Sequence, residues 1–98
     1  MINVRIAGRA VSGTSSAIEV GGHSANSELC NAISILMKYL EFGISDLTND
    51  CRIVKPVEGI FNIYFQQTAE TSVLVNTFIK TVKWLIDKYP AEINILEV

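Results

Sequence analysis

Two stretches of this chain carry apolar residues at helical spacing, and each follows a pair of extended runs. Leu29, Ile33, Leu36 or Met37, and Leu40 recur three and four residues apart, which predicts an amphipathic helix with one buried stripe. Val75, Phe78, Val82, Leu85 and Tyr89 do the same, predicting a second helix from about Ala69 to Tyr89. Thr68 can cap that helix, and Pro90 stops it. Ahead of the first helix, Ile2, Val4 and Ile6 alternate with Asn3, Arg5 and Ala7, the two-residue period of a half-buried strand. Ser15 to Gly21 reads as a second strand with Ile18 and Val20 inward and Glu19 outward, joined to the first by a turn over Gly8 to Thr14. Cys51 to Val57 is apolar enough for a strand that ends near Pro56. Glu58-Gly59 makes a tight turn, after which Phe61, Ile63 and Phe65 alternate with Asn62, Tyr64 and Gln66. Glu92 to Val98 alternates once more, with Ile93 and Ile95 on one face.

The order is therefore ββ-α-ββ-α-β. Such a chain buries both stripes most simply as an α/β domain of α+β-like, two-layer form, with two helices packed on one mixed or antiparallel sheet. At 98 residues, positions 1–98 make a single domain. Hydrophobic residues are 49% of the chain, which argues against disorder. A formal charge of −2 supplies no field for binding nucleic acid. No apolar run is long enough to span a membrane, and the opening residues lack the basic start and apolar block of an export signal. With two cysteines and no such signal, a reducing cytoplasmic setting and unpaired thiols are expected. His23, Cys30 and Cys51 offer at most three soft ligands without paired C-x-x-C spacing, so no metal site and no cofactor is expected.

The chemistry concentrates between Gly21 and Ser34. This segment holds the single histidine, His23, and one of the two cysteines, Cys30. Gly21-Gly22 permits backbone angles closed to other residues just before His23. Asn26 and Ser27 are both able N-caps; Ser27 is preferred because it makes Glu28 a first-turn acid. Cys30 then falls in the first helical turn, where unpaired N–H groups and the helix dipole favour thiolate over thiol, with an imidazole in the loop before it. Ser34 lies one turn on, on the same face. The backbone N–H groups of Cys30 and Asn31 are the expected donors for an oxyanion. Gly43 is the expected helix stop, followed by a polar loop from Asp46 to Asp50. Cys51 is expected to be buried on its strand and inert.

Gly22-His23 followed by Cys30-Asn31-Ala32-Ile33-Ser34 resembles the ribosomal-processing cysteine protease family, Prp. Its members carry a Gly-His pair in a loop and then a Cys-Ala-Ala-(Ile/Val)-Ser helix start. Chain length, element order and the Tyr-Pro end of the second helix resemble the family too. The resemblance implies a cytoplasmic, homodimeric cysteine peptidase that removes a short N-terminal extension from a large-subunit ribosomal protein precursor. His23 would be the base, Cys30 the nucleophile and Ser34 the supporting hydroxyl, with Gly22, Ser24, Asn26 and Asn31 bordering the substrate cleft. The chain departs from the pattern in its short His23–Cys30 spacing, in Ser27 where an acid is common, and in Ser24 and Asn31 where alanines are common. A catalytically inactive, ribosome-associated module of the same fold is the alternative, and a thiol-redox or acyl-transfer protein that uses Cys30 and can bridge it to Cys51 is a third.

Overall fold

Alternation of apolar and polar side chains gives the sheet one buried face. The structure, a computed structural model, describes residues 1–8, 15–49, 51–55 and 59–98. Strand β1 (Ile2–Ala7) pairs antiparallel with β2 (Ser15–Gly22), with Ile2 opposite Gly22 and Ile6 opposite Ile18. Ile2, Val4, Ile6, Ile18 and Val20 are all buried, as the two-residue period requires. The turn expected over Gly8 to Thr14 lies outside the described residues beyond Gly8. Strand β4 (Ile60–Gln66) lies against β2, and β3 (Arg52–Val54) against β4, both antiparallel. Strand β5 (Ile93–Glu97) pairs parallel with β1, so the sheet is mixed, in the order β3-β4-β2-β1-β5.

Helix α1 (Ser27–Leu47) connects β2 to β3, and α2 (Ala69–Lys88) connects β4 to β5. From the pairings, each helix joins two parallel strands, and a parallel connection needs such a crossover. The two crossovers run in opposite strand directions and step in opposite lateral directions. With the usual right-handed sense, both helices therefore land on the same face of the sheet. Leu29, Ile33, Met37, Leu40 and Ile44 of α1 meet Val75, Phe78, Ile79, Val82 and Leu85 of α2 over the buried strand face. The opposite face is polar, with Arg5 paired to Glu19 at 3.1 Å and Arg52 lying 5.0 Å over the Tyr64 ring. No helix among the described residues is long and apolar enough to cross a membrane.

Several local expectations are corrected. The cap of α1 is Asn26, not Ser27: its side chain accepts from the N–H groups of Glu28 and Leu29. Gly43 does not stop the helix, which runs on through Ile44 and Asp46 to Leu47. The reason is packing. A Cβ at Gly43 would sit 2.7 Å from Leu74 Cδ1 of α2, so glycine brings the two helices together while Ile44 continues the buried stripe. Strand β3 is shorter than expected; Pro56, Val57 and Glu58 lie outside the described residues. Cys51 precedes β3 rather than lying on it, and is half-buried against the core. Thr68 caps α2 as expected, in a reciprocal box with Thr71.

Gly43→Leu should lower the denaturation free energy by about 1–3 kcal/mol through overpacking against Leu74. In a double-mutant cycle, Leu74→Ala should recover part of that loss in urea titrations, since the two positions touch.

Candidate active site

Strand β2 ends where its backbone meets the start of the chain. At Gly22 φ is +95°, and a Cβ there would collide with the Met1 carbonyl oxygen. Only glycine fits such a turn against a neighbouring strand. Four residues, His23 to Asn26, then lead into α1. Ser24 Oγ donates to Glu92 Oε1 at 2.8 Å and accepts from the Asn26 N–H at 3.0 Å. Asn26 Oδ1 accepts from Glu28 N at 3.0 Å and Leu29 N at 3.3 Å. The Tyr89 hydroxyl donates to Glu28 Oε2 at 3.2 Å. These bonds tie the loop and the first turn of α1 to the end of α2 and the approach to β5.

Cys30, half-buried, and His23, exposed, open into one cavity of about 580 Å³. Ser34 and Gly22 also line it. The Cys30 thiol donates to the Ser24 carbonyl at 3.3 Å, and Ser34 Oγ donates to the Cys30 carbonyl at 2.9 Å. Neither side chain is hydrogen-bonded to His23. The imidazole instead lies over Gly59, where an added Cβ would come within 3.2 Å of both Cε1 and Nε2. Gly59 has φ +85°, a backbone conformation that favours glycine, and a side chain there would press on the ring. Ser24, Asn26 and Asn31 are not in the lining: the first two hold the loop and cap the helix, and Asn31 is exposed.

The expected oxyanion donors are corrected. The Cys30 N–H already donates to the Asn26 carbonyl at 3.2 Å, and Asn31 falls in the next position of the same helical ladder. Cys51 is also distant. It precedes Arg52, which pairs with Tyr64, whereas the cavity lies at the Gly59–Phe61 end of β4. That offset is roughly 13 Å along the strand at its usual rise, well beyond the reach of a disulfide. Both thiols are free, and the Cys30–Cys51 bridge required by the redox reading does not fit this fold.

No protein-family model and no curated protein matches the chain. Solved structures do match. The essential ribosomal-processing protease Prp of S. aureus, in complex with a covalently linked product peptide, superposes with a TM-score of 0.79 at 17% identity over 100% of both chains. The same protease in complex with a substrate peptide gives 0.77 at 16%, again over the whole of both chains. A crystal structure of SMU.848 from Streptococcus mutans gives 0.73 at 17%, over 100% of this chain and 94% of the other. This chain has the Prp fold. At such identity the likeness is one of backbone, and the peptides belong to the S. aureus complexes.

The cavity includes residues that local sequence patterns do not mark. Gly59, Ile60 and Phe61 enter from the start of β4, Lys55 from the end of β3, and Met37 and Lys38 from the second turn beyond Cys30. Their signal is long-range: Gly21 opposite Ile60 brings Gly59 beside the His23 loop, and no local pattern reports that pairing.

Partial burial pushes the Tyr89 phenol above its ordinary value of 10.0, helped by the Glu28 carboxylate it donates to and by the charge of Glu92. The neutral phenol is the form the fold favours. Its contribution to stability is complete below pH 10.0 and is lost as pH rises through the folded value. In an ultraviolet titration, Tyr89→Phe should remove an ionisation step centred above pH 10.0, and Glu28→Gln should move that step downward.

Proposed function

We propose that this chain is a cysteine endopeptidase that trims an N-terminal extension from a large-subunit ribosomal protein precursor. The observation that carries the reading is the convergence of the single histidine and Cys30 on one cavity at the start of α1. The backbone likeness to a protease solved with a covalently linked product peptide supports it. Under this reading Cys30 leaves the Ser24 carbonyl and passes its proton to His23. The thiolate attacks the scissile carbonyl, and collapse of the tetrahedral adduct breaks the C–N bond. The leaving amine takes the proton from His23, leaving a thioester on Cys30. Water, deprotonated by His23, then releases the acid and restores the thiol. Ser34, bonded to the Cys30 carbonyl, positions the nucleophile's backbone. Donors to the oxyanion come from the cavity rim rather than from the Cys30 and Asn31 N–H groups.

The working form in this proposal is a cytoplasmic homodimer. A second apolar stripe on α1 supports the dimer: Ile35, Tyr39 and Phe42 follow helical spacing and are 69%, 43% and 64% exposed. Phe42→Asp should shift the protein towards monomer in sedimentation equilibrium while its circular dichroism is unchanged.

An inactive module of the same fold is the second reading. The Cys30 thiol bonded to a backbone carbonyl, with no bond to His23, is the observation that favours it. Labelling separates the two. A working dyad predicts that iodoacetamide alkylates Cys30 at neutral pH at least about ten-fold faster than Cys51, and that His23→Ala removes this advantage. Incubation with a ribosomal precursor should give an N-terminal cut that Cys30→Ala abolishes. Equal alkylation of the two thiols with no cut would leave only the inactive module.

A further inference from the structure

We propose that the cavity receives a carboxylate of its peptide ligand at Lys55, with Lys38 as a weaker second cation. The inference rests on the peptidase reading for the identity of the ligand, and on the cavity itself for the charge. The chain has ten acidic and eight basic residues, yet the lining of the cavity contains two lysines and no aspartate or glutamate among the described residues. The two lysines are not equivalent. Lys38 Nζ is paired with Glu41 Oε2 at 2.9 Å, so most of its field is already answered. Lys55 Nζ lies 5.3 Å from the centre of the Phe61 ring, itself part of the lining. Among the described residues no carboxylate pairs with Lys55.

An ammonium over an aromatic face is held in place without being neutralised. The remaining lining is largely apolar, with Ile2, Val20, Ile33 and Met37 contributing. Beside these apolar side chains, water screens the attraction between Lys55 and an entering carboxylate less than it does in bulk. Two peptide sources present this chemistry. One is an acidic side chain near the scissile bond. The other is the new C-terminal carboxylate of the released extension, which forms at Cys30 itself.

Alkylation tests the site without requiring turnover. Iodoacetate and iodoacetamide react with the same sulfur and differ in charge, so the ratio of their rates cancels the reactivity of the thiol. Cys51, at the other end of β4, is an internal reference. The iodoacetate-to-iodoacetamide ratio should be higher at Cys30 than at Cys51 by roughly three-fold or more, the scale of a partly exposed charge pair. Lys55→Gln should remove most of that excess, Lys55→Glu should invert it, Lys38→Gln should change it less, and 0.5 M salt, which shortens the Debye length to roughly 4 Å, should compress it. A ratio equal at the two cysteines, or untouched by both Lys55 variants, overturns the proposal.

Protection of Cys30 from iodoacetamide by short peptides then distinguishes the sources. Protection by a free-acid peptide over its C-terminal amide identifies the product carboxylate, and protection by a glutamate peptide over its glutamine twin identifies a side chain. Equal protection within both pairs also overturns the proposal. The two readings fail separately: slow alkylation with a raised ratio removes the peptidase and keeps the carboxylate site, while fast alkylation with an equal ratio does the reverse.

Discussion

The four residues between β2 and α1 are the constraint on which the site depends. Their length leaves no slack, because Gly22 is pressed against Met1 at one end and Asn26 must cap α1 at the other. Every polar side chain that can stiffen the loop is used to do so: Ser24 reaches Glu92, and Asn26 answers two orphan N–H groups. His23 is the exception. It makes no hydrogen bond among the described residues and rests over Gly59, while Cys30 at the far side makes only a thiol bond to a carbonyl. The framework around the pair is held by strong donors and acceptors, and the pair itself is left with weak ones.

The topology explains why such a loop faces a cavity at all. Two crossovers on one face bring both helices over the same side of the sheet and leave the ends of the central strands to close the space below α1. The site thereby gathers residues far apart in sequence: Ile2 from β1, Gly22 from β2, Lys55 after β3, and Gly59 to Phe61 at the start of β4. The ties from Ser24 to Glu92 and from Glu28 to Tyr89 fasten the same region to the far crossover. A change near Tyr89 therefore acts on the His23 loop through named bonds, even though Tyr89 does not line the cavity.

Periodicity made most of the fold legible. Ile2, Val4 and Ile6, and Val75, Phe78, Val82 and Leu85, are buried where their spacing predicts, because alternation and the helical repeat are consequences of a one-sided core. The single histidine and Cys30 are also recognisable as a pair in the sequence, and they share one cavity. What local patterns could not resolve were choices settled by distant contacts. Asn26 and Ser27 are comparable caps in isolation, and the selection follows from where β2 is forced to end. Gly43 resembles a helix stop until Leu74 of the other helix is set against it. Gly59 and Lys55 join the site through strand register, which a linear reading of residues 51–61 does not contain. The oxyanion donors follow the same logic: because Asn26 is the cap, the Cys30 N–H is already inside the helical ladder.

The bond from the Cys30 thiol to the Ser24 carbonyl favours an idle site, and its strength sets how much weight it carries. A thiol is a weak donor, and even an ordinary intramolecular hydrogen bond nets only about 0.5–1.5 kcal/mol. Under the proposed peptidase reading, keeping it intact lowers the population of the free thiol rotamer by no more than roughly ten-fold, a small factor beside the barrier reductions that a positioned base and nucleophile would provide. Catalytic hydrogen bonds in unliganded sites are commonly long or absent and tighten when substrate arrives. The imidazole is placed by a different contact: it rests against Gly59, where an added Cβ would lie 3.2 Å from Cε1 and Nε2 and φ is +85°. The resting place of the ring is thus tied to a glycine thirty-six residues further along, brought alongside by the pairing of Gly21 with Ile60.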